Sequence, residues 1–456
     1  NSQWPKAPEN IDNSLRFNDG SSDNLSRTFS TPTNADIWTW SGWVKRSNIG
    51  AAYFDIFDAY TDSNSYAQIS FHTNDYLFYY DQQGGSVKAS LATNRLFRDI
   101  SAWYHIVVAT DTTQGTAADR IKLYINGEQY TWDRTTTYPS QNQDTYINSS
   151  NAHYFGTYGS GNYFDGYMAE CVFIDGQQLD STSFGEFDTT TGIWKPKKIG
   201  QIANAGTNSF YLNFKDSSNV GKDESGLGNN FTVNNLTSID QSTDTCVVNY
   251  ATMNSLAITN AGNTFSEGNL KITTISGASS YNQGTIGVSS GKWYWEIKYV
   301  SDTDGSNNYA RIGIADINPP NTGGLGETEG IAYEAINGKY KIRGSATTYG
   351  DTYAPGDIIG VALNLDDNEL IFYKNGTAQN SGTAIDISSY TPKTGFWHPA
   401  FNYDDGSNSG VFEANFGSPP FSISSGNSDA NGFGNFEYSV PSGYYALNTS
   451  NLNTYG

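Results

Sequence analysis

Cysteine occurs twice in 456 residues, methionine twice and histidine four times. Two cysteines, Cys171 and Cys246, exclude a disulfide-rich scaffold and any cysteine-built zinc site. Cys171 stands in the strand-like run YMAECVFIDG and reads as a buried free thiol. Basic residues are scarce, 25 against 46 acidic, and the formal net charge is -21. A field of that sign repels nucleic acid, and no basic patch interleaved with aromatics offsets it. No apolar run is long enough to span a bilayer and no signal-peptide pattern opens the chain, so membrane insertion is not expected. The first residue is Asn1 in place of Met, which implies sequence removed from, or lying upstream of, this start. No window carries a long helical apolar stripe.

Aromatic residues, by contrast, make up 14% of the chain, with 32 Tyr, 24 Phe and 10 Trp, alongside 47 Gly. Aromatics suit strands and glycine suits tight turns, so the composition predicts an all-β protein. One phrase occurs twice: IKLYINGEQY at 121–130 and LIFYKNGTAQ at 370–379. In each, apolar residues alternate at the two-residue period of a half-buried strand. Each run ends in Asn-Gly, at Asn126-Gly127 and Asn375-Gly376, a pair that tolerates the positive φ angles of a type I′ turn. Both phrases are predicted hairpins. The runs before and after them follow a similar strand order, which predicts two domains of one architecture. The boundaries read as a first sandwich over 1–184, a connector over 185–243 whose strands pack on that sandwich, and a second sandwich with a C-terminal tail over 244–456.

Family resemblance accompanies these patterns. SLRFNDGSSDNLSRTF (14–29), WTWSGWVKR (38–46), WYHIVVATD (103–111), IKLYINGE and YFDGYMAECVFIDGQQLD (163–180) resemble a laminin G-like, concanavalin A-type domain. GKWYWEIKY (291–299), ARIGIAD (310–316), GDIIGVALNLDDNELIFYKNG (356–376), WHPAFN and ANFG resemble a SPRY domain, in that family's order. The resemblance implies two tandem concanavalin A-like antiparallel β-sandwiches, or jelly rolls. FGEFDTTTGIWKPKK (184–198), NNFTVNNLTSIDQSTDTCVVNY (229–250) and VPSGYYALNTSNLNTYG (440–456) are similar to phrases in bacteriophage virion proteins, marine and cyanophage types among them. That similarity implies a tail appendage or capsid-surface protein, outside the cell.

Glycan-cleaving enzymes share this sandwich, and their retaining sites need two carboxylates about 5 Å apart on one strand face. Glu296 in WYWEIKY and Glu170 in MAECVF have no acidic partner two or four residues away. The histidines are spread out, and His105, between Tyr104 and Ile106, reads as a packed strand residue. Catalysis is therefore not expected. Calcium is the one cofactor the sequence raises, because Asp and Asn side chains with loop carbonyls supply its six to eight oxygens. The acid-rich stretches hold Asp55, Asp58 and Asp62, then Asp302 and Asp304, then Asp404 and Asp405. Ordinary turn chemistry explains the same residues. In related laminin G-like domains calcium sits at the sandwich rim, which implies Asp55 or Asp165 as its ligand here.

Aromatic placement points to a binding face. Trp38 and Trp40 are out of step with Trp43, so at least one Trp lies on each surface of its sheet. Tyr76, Phe78 and Tyr80 share one face, with Leu77 and Tyr79 on the other. Such a sheet either stacks on sugar or another subunit, or holds core on one face and scattered aromatics on the other. Candidate ligand-binding residues are Trp38, Tyr76 and Tyr80 in the first sandwich. In the second they are Asp302, Asp304, Asp404 and Asp405, in the DTDGSNNYAR and NYDDGSNSG loops, with NPPNTGGLGETEG (318–330) beside them. SPRY relatives bind through loops at one end of the sandwich, which implies the same region. The expected function is a non-enzymatic virion adhesion or structural protein. Its partners would be host-surface glycan or other virion subunits, met as a homo-oligomer or multivalent array. A secreted or cell-surface carbohydrate-binding adhesin is the alternative, and a glycan-cleaving enzyme the third reading.

Overall fold

The computed structural model describes residues 11–456 other than 51, 160, 198, 200–201, 258–261, 277–280, 306–307, 317–323 and 328–329. Strands dominate throughout; the longest helix is Thr449–Tyr455. The chain divides into two units, Asn1–Val247 and Val248–Gly456. The 185–243 stretch thus lies inside the first unit, as do Asp244–Val247.

Two large antiparallel sheets, with a two-stranded ribbon of Gly185–Phe187 and Trp194–Pro196, form the first unit. One, the tryptophan sheet, runs Glu128–Tyr130, Ile121–Ile125, Trp103–Asp111, Ile37–Arg46, Gly166–Asp175, Ser14–Phe17, Gln241–Ser242, with Phe210–Leu212 also pairing onto Gly166–Asp175. The other, the tyrosine sheet, runs Thr135–Thr137, Ser86–Leu96, Tyr76–Gln83, Ser65–Phe71, Phe54–Asp62, Ala152–Phe155, Asn24–Thr28, Thr232–Asn234. Alternation along these strands sends Trp38, Trp40, Val108 and Phe173 from one sheet, and Phe57, Ile69, Leu77 and Tyr79 from the other, into one buried core. Each such side chain contributes roughly 1.5–3 kcal/mol by leaving water.

The tryptophan sheet's outward face is apolar too, and the chain that follows covers it. Phe184, Ile199 and Tyr211 pack on Val107, Val172 and Ile174, while Trp194 joins Trp43, Trp103 and Tyr167. Polar pins hold this cover down. Trp194 Nε1 donates to His105 Nδ1 (3.1 Å), which leaves the proton on Nε2 to bond Ser41 Oγ (2.9 Å). The Tyr211 hydroxyl donates to Glu170 Oε2 (2.6 Å), and Lys45 Nζ pairs with Asp244 at 2.7 Å, both buried. Glu170 sits at a β-bulge with φ +49°, where the extra residue turns its carboxyl outward to that contact.

The second unit repeats the plan. Its larger sheet runs Thr264–Ser266, Lys271–Thr273, Gly410–Asn415, Lys292–Asp302, Ile358–Asn364, Glu369–Lys374, Thr377–Ala378; its smaller one runs Asn282–Gln283, His398–Tyr403, Ala310–Ala315, Ile331–Glu334, Lys339–Ile342, Ser345–Thr348. Trp293 and Trp295 point inward, whereas Tyr294 points outward under a cover of Phe436 and Ala446. Glu296 pins that cover. It accepts the Glu437 and Tyr438 backbone N–H groups (3.0 and 2.9 Å), Asn415 Nδ2 (3.2 Å) and the Tyr294 hydroxyl (3.1 Å).

The repeated phrase is one device used twice. Asn126 and Gly127 have φ +48° and +89°, Asn375 and Gly376 +47° and +78°, the signs a type I′ turn needs. Asn126 Oδ1 accepts the His105 N–H (2.8 Å) and its own N–H donates to the His105 carbonyl (2.9 Å). Asn375 repeats both bonds on Ile358, each at 2.9 Å. The asparagine thereby clamps the hairpin to the strand beside it, a role glycine or aspartate could fill only in part.

Burial pushes the carboxyls of Asp55, Glu170 and Glu296 up to about 7, and that of Asp81 to about 6. A pKa above its unfolded value means the folded state holds the proton more tightly, so the stability from these four carboxyls is greatest below about pH 4 and is lost as pH rises to about 7, outweighing the opposite effect of His105 and His153, which burial pushes down to about 3. Each group carries on the order of a few kcal/mol across that range. The melting temperature should therefore rise by several degrees between pH 8 and pH 5, and a flat or falling profile across that window would contradict this account.

A tyrosine-lined cleft on the open sheet

The outward face of the tyrosine sheet holds a cleft of about 460 Å³. Strand register builds it. Gln68 lies opposite Tyr80 and Ser70 opposite Phe78, and next door Tyr80 faces Ser90 and Phe78 faces Ala92. Rings on two strands thus flank a floor of Gln68, Ser90 and Ala92, small enough to leave a trough between them. Two aromatic groups mark its ends. At one, Tyr66 stacks on Tyr80 (ring centroids 5.5 Å, 28°) and meets Tyr158 edge-on (4.8 Å). At the other, His72 stacks on Tyr76 (4.2 Å, 11°) beside Tyr53 (4.9 Å). Tyr76 and Tyr80 are four residues apart on one strand, about 13 Å at the usual rise per residue.

His72 is held neutral. Its Nδ1 accepts the Asn74 N–H (3.2 Å), so the proton lies on Nε2, which faces the Tyr53 hydroxyl at 3.2 Å. Burial and the positive charge of Arg134 both push its pKa down. Arg134 lies over the Tyr76 ring, 4.4 Å from its centroid, and donates through Nε to the Thr93 carbonyl (3.1 Å). Tyr158 and Asn162 reach the cleft from a tight turn closed by reciprocal backbone bonds between Tyr158 and Gly161 (2.7 and 2.9 Å). Gly159 permits the turn: it has φ +58°, and a Cβ there would come within 2.6 Å of the Tyr60 ring.

Beneath this turn lie two carboxyls of strand Phe54–Asp62, Asp55 and Asp58, both without solvent exposure. A bulge between Asp55 and Phe57 sets both opposite outward-facing positions, Ser70 and Gln68. The Ser70 hydroxyl donates to Asp55 Oδ1. Neither Asp58 oxygen has a hydrogen-bond partner among the described residues, although the Gly159 amide lies near enough to ease its charge. Burial first, and the Asp55 charge second, push Asp58 well above the usual carboxylate range.

Tyr76 and Tyr80 of the sequence candidates line this cleft. Trp38 does not, and its candidacy is corrected: it is fully buried in the core, stacked on Phe173 (5.8 Å), with its indole N–H on Thr145 Oγ1 (2.7 Å). Asp165 is buried at the start of strand Gly166–Asp175, and its carbonyl accepts the Ser47 N–H (3.0 Å). Asp55 has Asp58 as its charged neighbour; among the described residues no three His, Cys, Asp or Glu side chains come together as metal ligands would. Sequence reasoning missed Tyr53, Tyr66, Gln68, His72, Tyr158, Asn162 and Arg134. For Tyr66 and Gln68 a signal existed, since Ala67, Ile69 and Phe71 alternate with them along Ser65–Phe71.

In the second unit the loop acids come near one another. The Thr303 N–H donates to the Ser409 carbonyl (3.0 Å), which joins the 302–305 and 404–409 turns. Their carboxylates serve local bonds. Asp302 Oδ1 accepts the N–H groups of Asp304 and Gly305 (3.0 and 2.8 Å), and Asp405 caps Ser407 (2.8 Å). Asp404 pairs with Arg311 at 2.7 Å, within a network that includes Glu327, Glu334 and Lys341. Most of the NPPNTGGLGETEG loop lies outside the described residues.

Comparison with known proteins accords with this architecture. Residues 19–194 match the model of the concanavalin A-like lectin/glucanases superfamily, and residues 292–409 that of the SPRY domain. Ran-binding protein 9 of Xenopus tropicalis is 28% identical over 166 residues, which are 34% of this chain and 28% of that protein. E3 ubiquitin-protein ligase RKP of Arabidopsis thaliana is 29% identical over 133 residues, 29% of this chain and 10% of the ligase. The chain therefore spans under a third of the length of either relative. Among solved structures, the SPRY domain of human HERC1 aligns at 18% identity with a TM-score of 0.28, over 32% of this chain and 87% of that one. The heptameric SAP-like pentraxin of Limulus polyphemus aligns at 16% identity with a TM-score of 0.28, over 37% and 79%. SPRY and laminin G-like domains mediate protein–protein or carbohydrate binding. This chain joins the two kinds, a laminin G-like, concanavalin A-like domain followed by a SPRY domain.

Proposed function

We propose that the chain is a non-enzymatic binding protein whose first unit takes sugar rings in the tyrosine cleft. The observation that carries this reading is the cleft itself, open, polar-floored and flanked at both ends by paired aromatic rings. Tyrosine and histidine faces stack on the C–H faces of sugars, and Gln68 and Asn162 supply hydrogen bonds to hydroxyls. The carboxyls argue against hydrolysis. Glu170 and Glu296 are engaged in holding the covers of their sheets. Asp55 and Asp58 share a strand face, as a retaining glycosidase requires, yet both are fully buried and neither lines the cleft. The setting we propose is a bacteriophage particle, in a tail fibre, tail appendage or capsid decoration, with host-surface glycan or neighbouring virion subunits as the target. Sequence phrases similar to those of virion proteins support it; a secreted adhesin uses the same cleft in the same way. A protein partner for the second unit accords with the SPRY match.

Each ring contact contributes about 1 kcal/mol, so single sites are weak and display in many copies raises avidity. On an array of bacterial surface polysaccharides, Tyr76→Ala and Tyr80→Ala should each weaken binding about fivefold, and the double variant more. Binding that survives the double variant intact would place the ligand elsewhere.

A calcium ion is a second part of the proposal, favoured by one observation: the buried Asp58 carboxyl beside Asp55, with only the Gly159 amide near it among the described residues. Asp55 and Asp58 would hold the ion and make both charges tolerable where burial otherwise opposes them. Calcium added at pH 8 to chelator-treated protein should raise the melting temperature in proportion to the logarithm of its concentration, and Asp58→Asn should abolish that rise. A melting temperature indifferent to millimolar calcium would leave the pair as neutral acids.

A further inference from the structure

We infer that the ligand of the tyrosine cleft is an acidic sugar, its ring on the Tyr76 end of the platform and its carboxylate or sulfate held by Arg134. The inference rests on the sugar-binding reading and adds the ligand's charge. Arg134 is already ordered for such a contact. Its Nε is committed to the Thr93 carbonyl (3.1 Å) and its face lies on Tyr76 (4.4 Å), which leaves the two terminal amino groups. A guanidinium immobilised in this way presents paired N–H donors to a planar or tetrahedral anion.

Among the described residues no carboxylate pairs with it. Most other basic side chains are spoken for: Arg46 and Arg98 by Asp75, Lys45 by Asp244, Lys195 by Asp188, Arg311 by three carboxylates. Arg134 makes no ion pair among the described residues, in a chain with 46 acidic side chains to 25 basic ones. Even the adjacent Asp133 is turned away, its carboxylate taken by the Asn94 N–H (2.6 Å) and the Tyr130 hydroxyl (3.2 Å). Thr135, next to Arg134, lines the cleft, and the Arg134 charge acts on both His72 and Tyr76.

Asp55 and Asp58 are buried beneath the far end, by Tyr66 and Tyr158, where burial favours their neutral forms. The remaining net negative charge is distributed over the molecule, and beyond about 8 Å physiological salt screens it. The local guanidinium therefore decides the preference.

The test uses the full chain against pairs of polysaccharides that differ in charge alone. Oligogalacturonate is compared with its carboxyl-reduced counterpart, and a sulfated galactan with its desulfated one, so that the two anion chemistries are told apart. The acidic member of at least one pair should bind about tenfold more tightly at physiological salt, and Arg134→Gln should bring it to the level of its neutral partner. Lys339→Gln, a charge-matched change in the second unit, should leave the preference in place. Equal or tighter binding of the neutral members, or an acidic preference that survives Arg134→Gln, would overturn the inference while sustaining sugar binding. Binding of none of the four would overturn both. A folded-state check accompanies the variant: near-ultraviolet circular dichroism of Arg134→Gln should match that of the parent chain.

Discussion

A two-sheet sandwich buries its two inner faces in one core and leaves two outer faces to be dealt with. That constraint organises this chain. Wherever strand alternation puts large apolar side chains outward, a following segment is folded back over them and pinned by polar bonds. In the first unit the cover is built around Phe184, Trp194 and Tyr211, held through Trp194 to His105, Tyr211 to Glu170 and Asp244 to Lys45. In the second it is the C-terminal stretch around Phe436 and Ala446, held through Glu296. Among the described residues no such cover lies over Tyr66, Tyr76 and Tyr80 of the tyrosine sheet, and these rings carry hydroxyls or a charged neighbour that make exposure tolerable. The face proposed for binding is thus the one that the described covering segments leave open.

The pins exact a trade between hydrogen bonding and desolvation. Glu296 receives four donors, which favours its charged form, yet full burial outweighs them and its pKa settles near 7. Removing such a partner would strand two backbone N–H groups at roughly 1–3 kcal/mol each. Glu296 and Glu170 are thus tied to holding a segment down. Arg134 stands at the opposite pole: solvent supports its charge, so its position costs little and its valence stays available for a ligand.

What was legible in the sequence was local. The two Asn-Gly turns, the alternation of Tyr76, Phe78 and Tyr80 against Leu77 and Tyr79, and the packed His105 all follow from periods of two and from turn stereochemistry. Alternation says which residues share a face but not which face is covered. Trp38 was accordingly misplaced as a surface residue, because its burial depends on Tyr79 and Phe173 arriving from distant strands. The cleft's other members were hidden for the same reason: Tyr53, Tyr66 and Tyr158, with Arg134 beside them over Tyr76, meet only through cross-strand register and a turn near Gly159. The loop acids Asp302 and Asp405 show the reverse case, where local Asx-turn bonding explains the residues once the backbone is seen.

The central claim is that the open face of the tyrosine sheet is where this chain meets its ligand. Hydrogen–deuterium exchange of the full chain, with and without a saturating polysaccharide that it binds, tests that claim most directly. The account predicts slowed exchange in the segments around Tyr66–Tyr80, Ser90–Ala92 and Tyr158–Asn162, with the 302–305 and 404–409 turns unchanged. Protection confined to those turns of the second unit, with the tyrosine sheet unaffected, would contradict it.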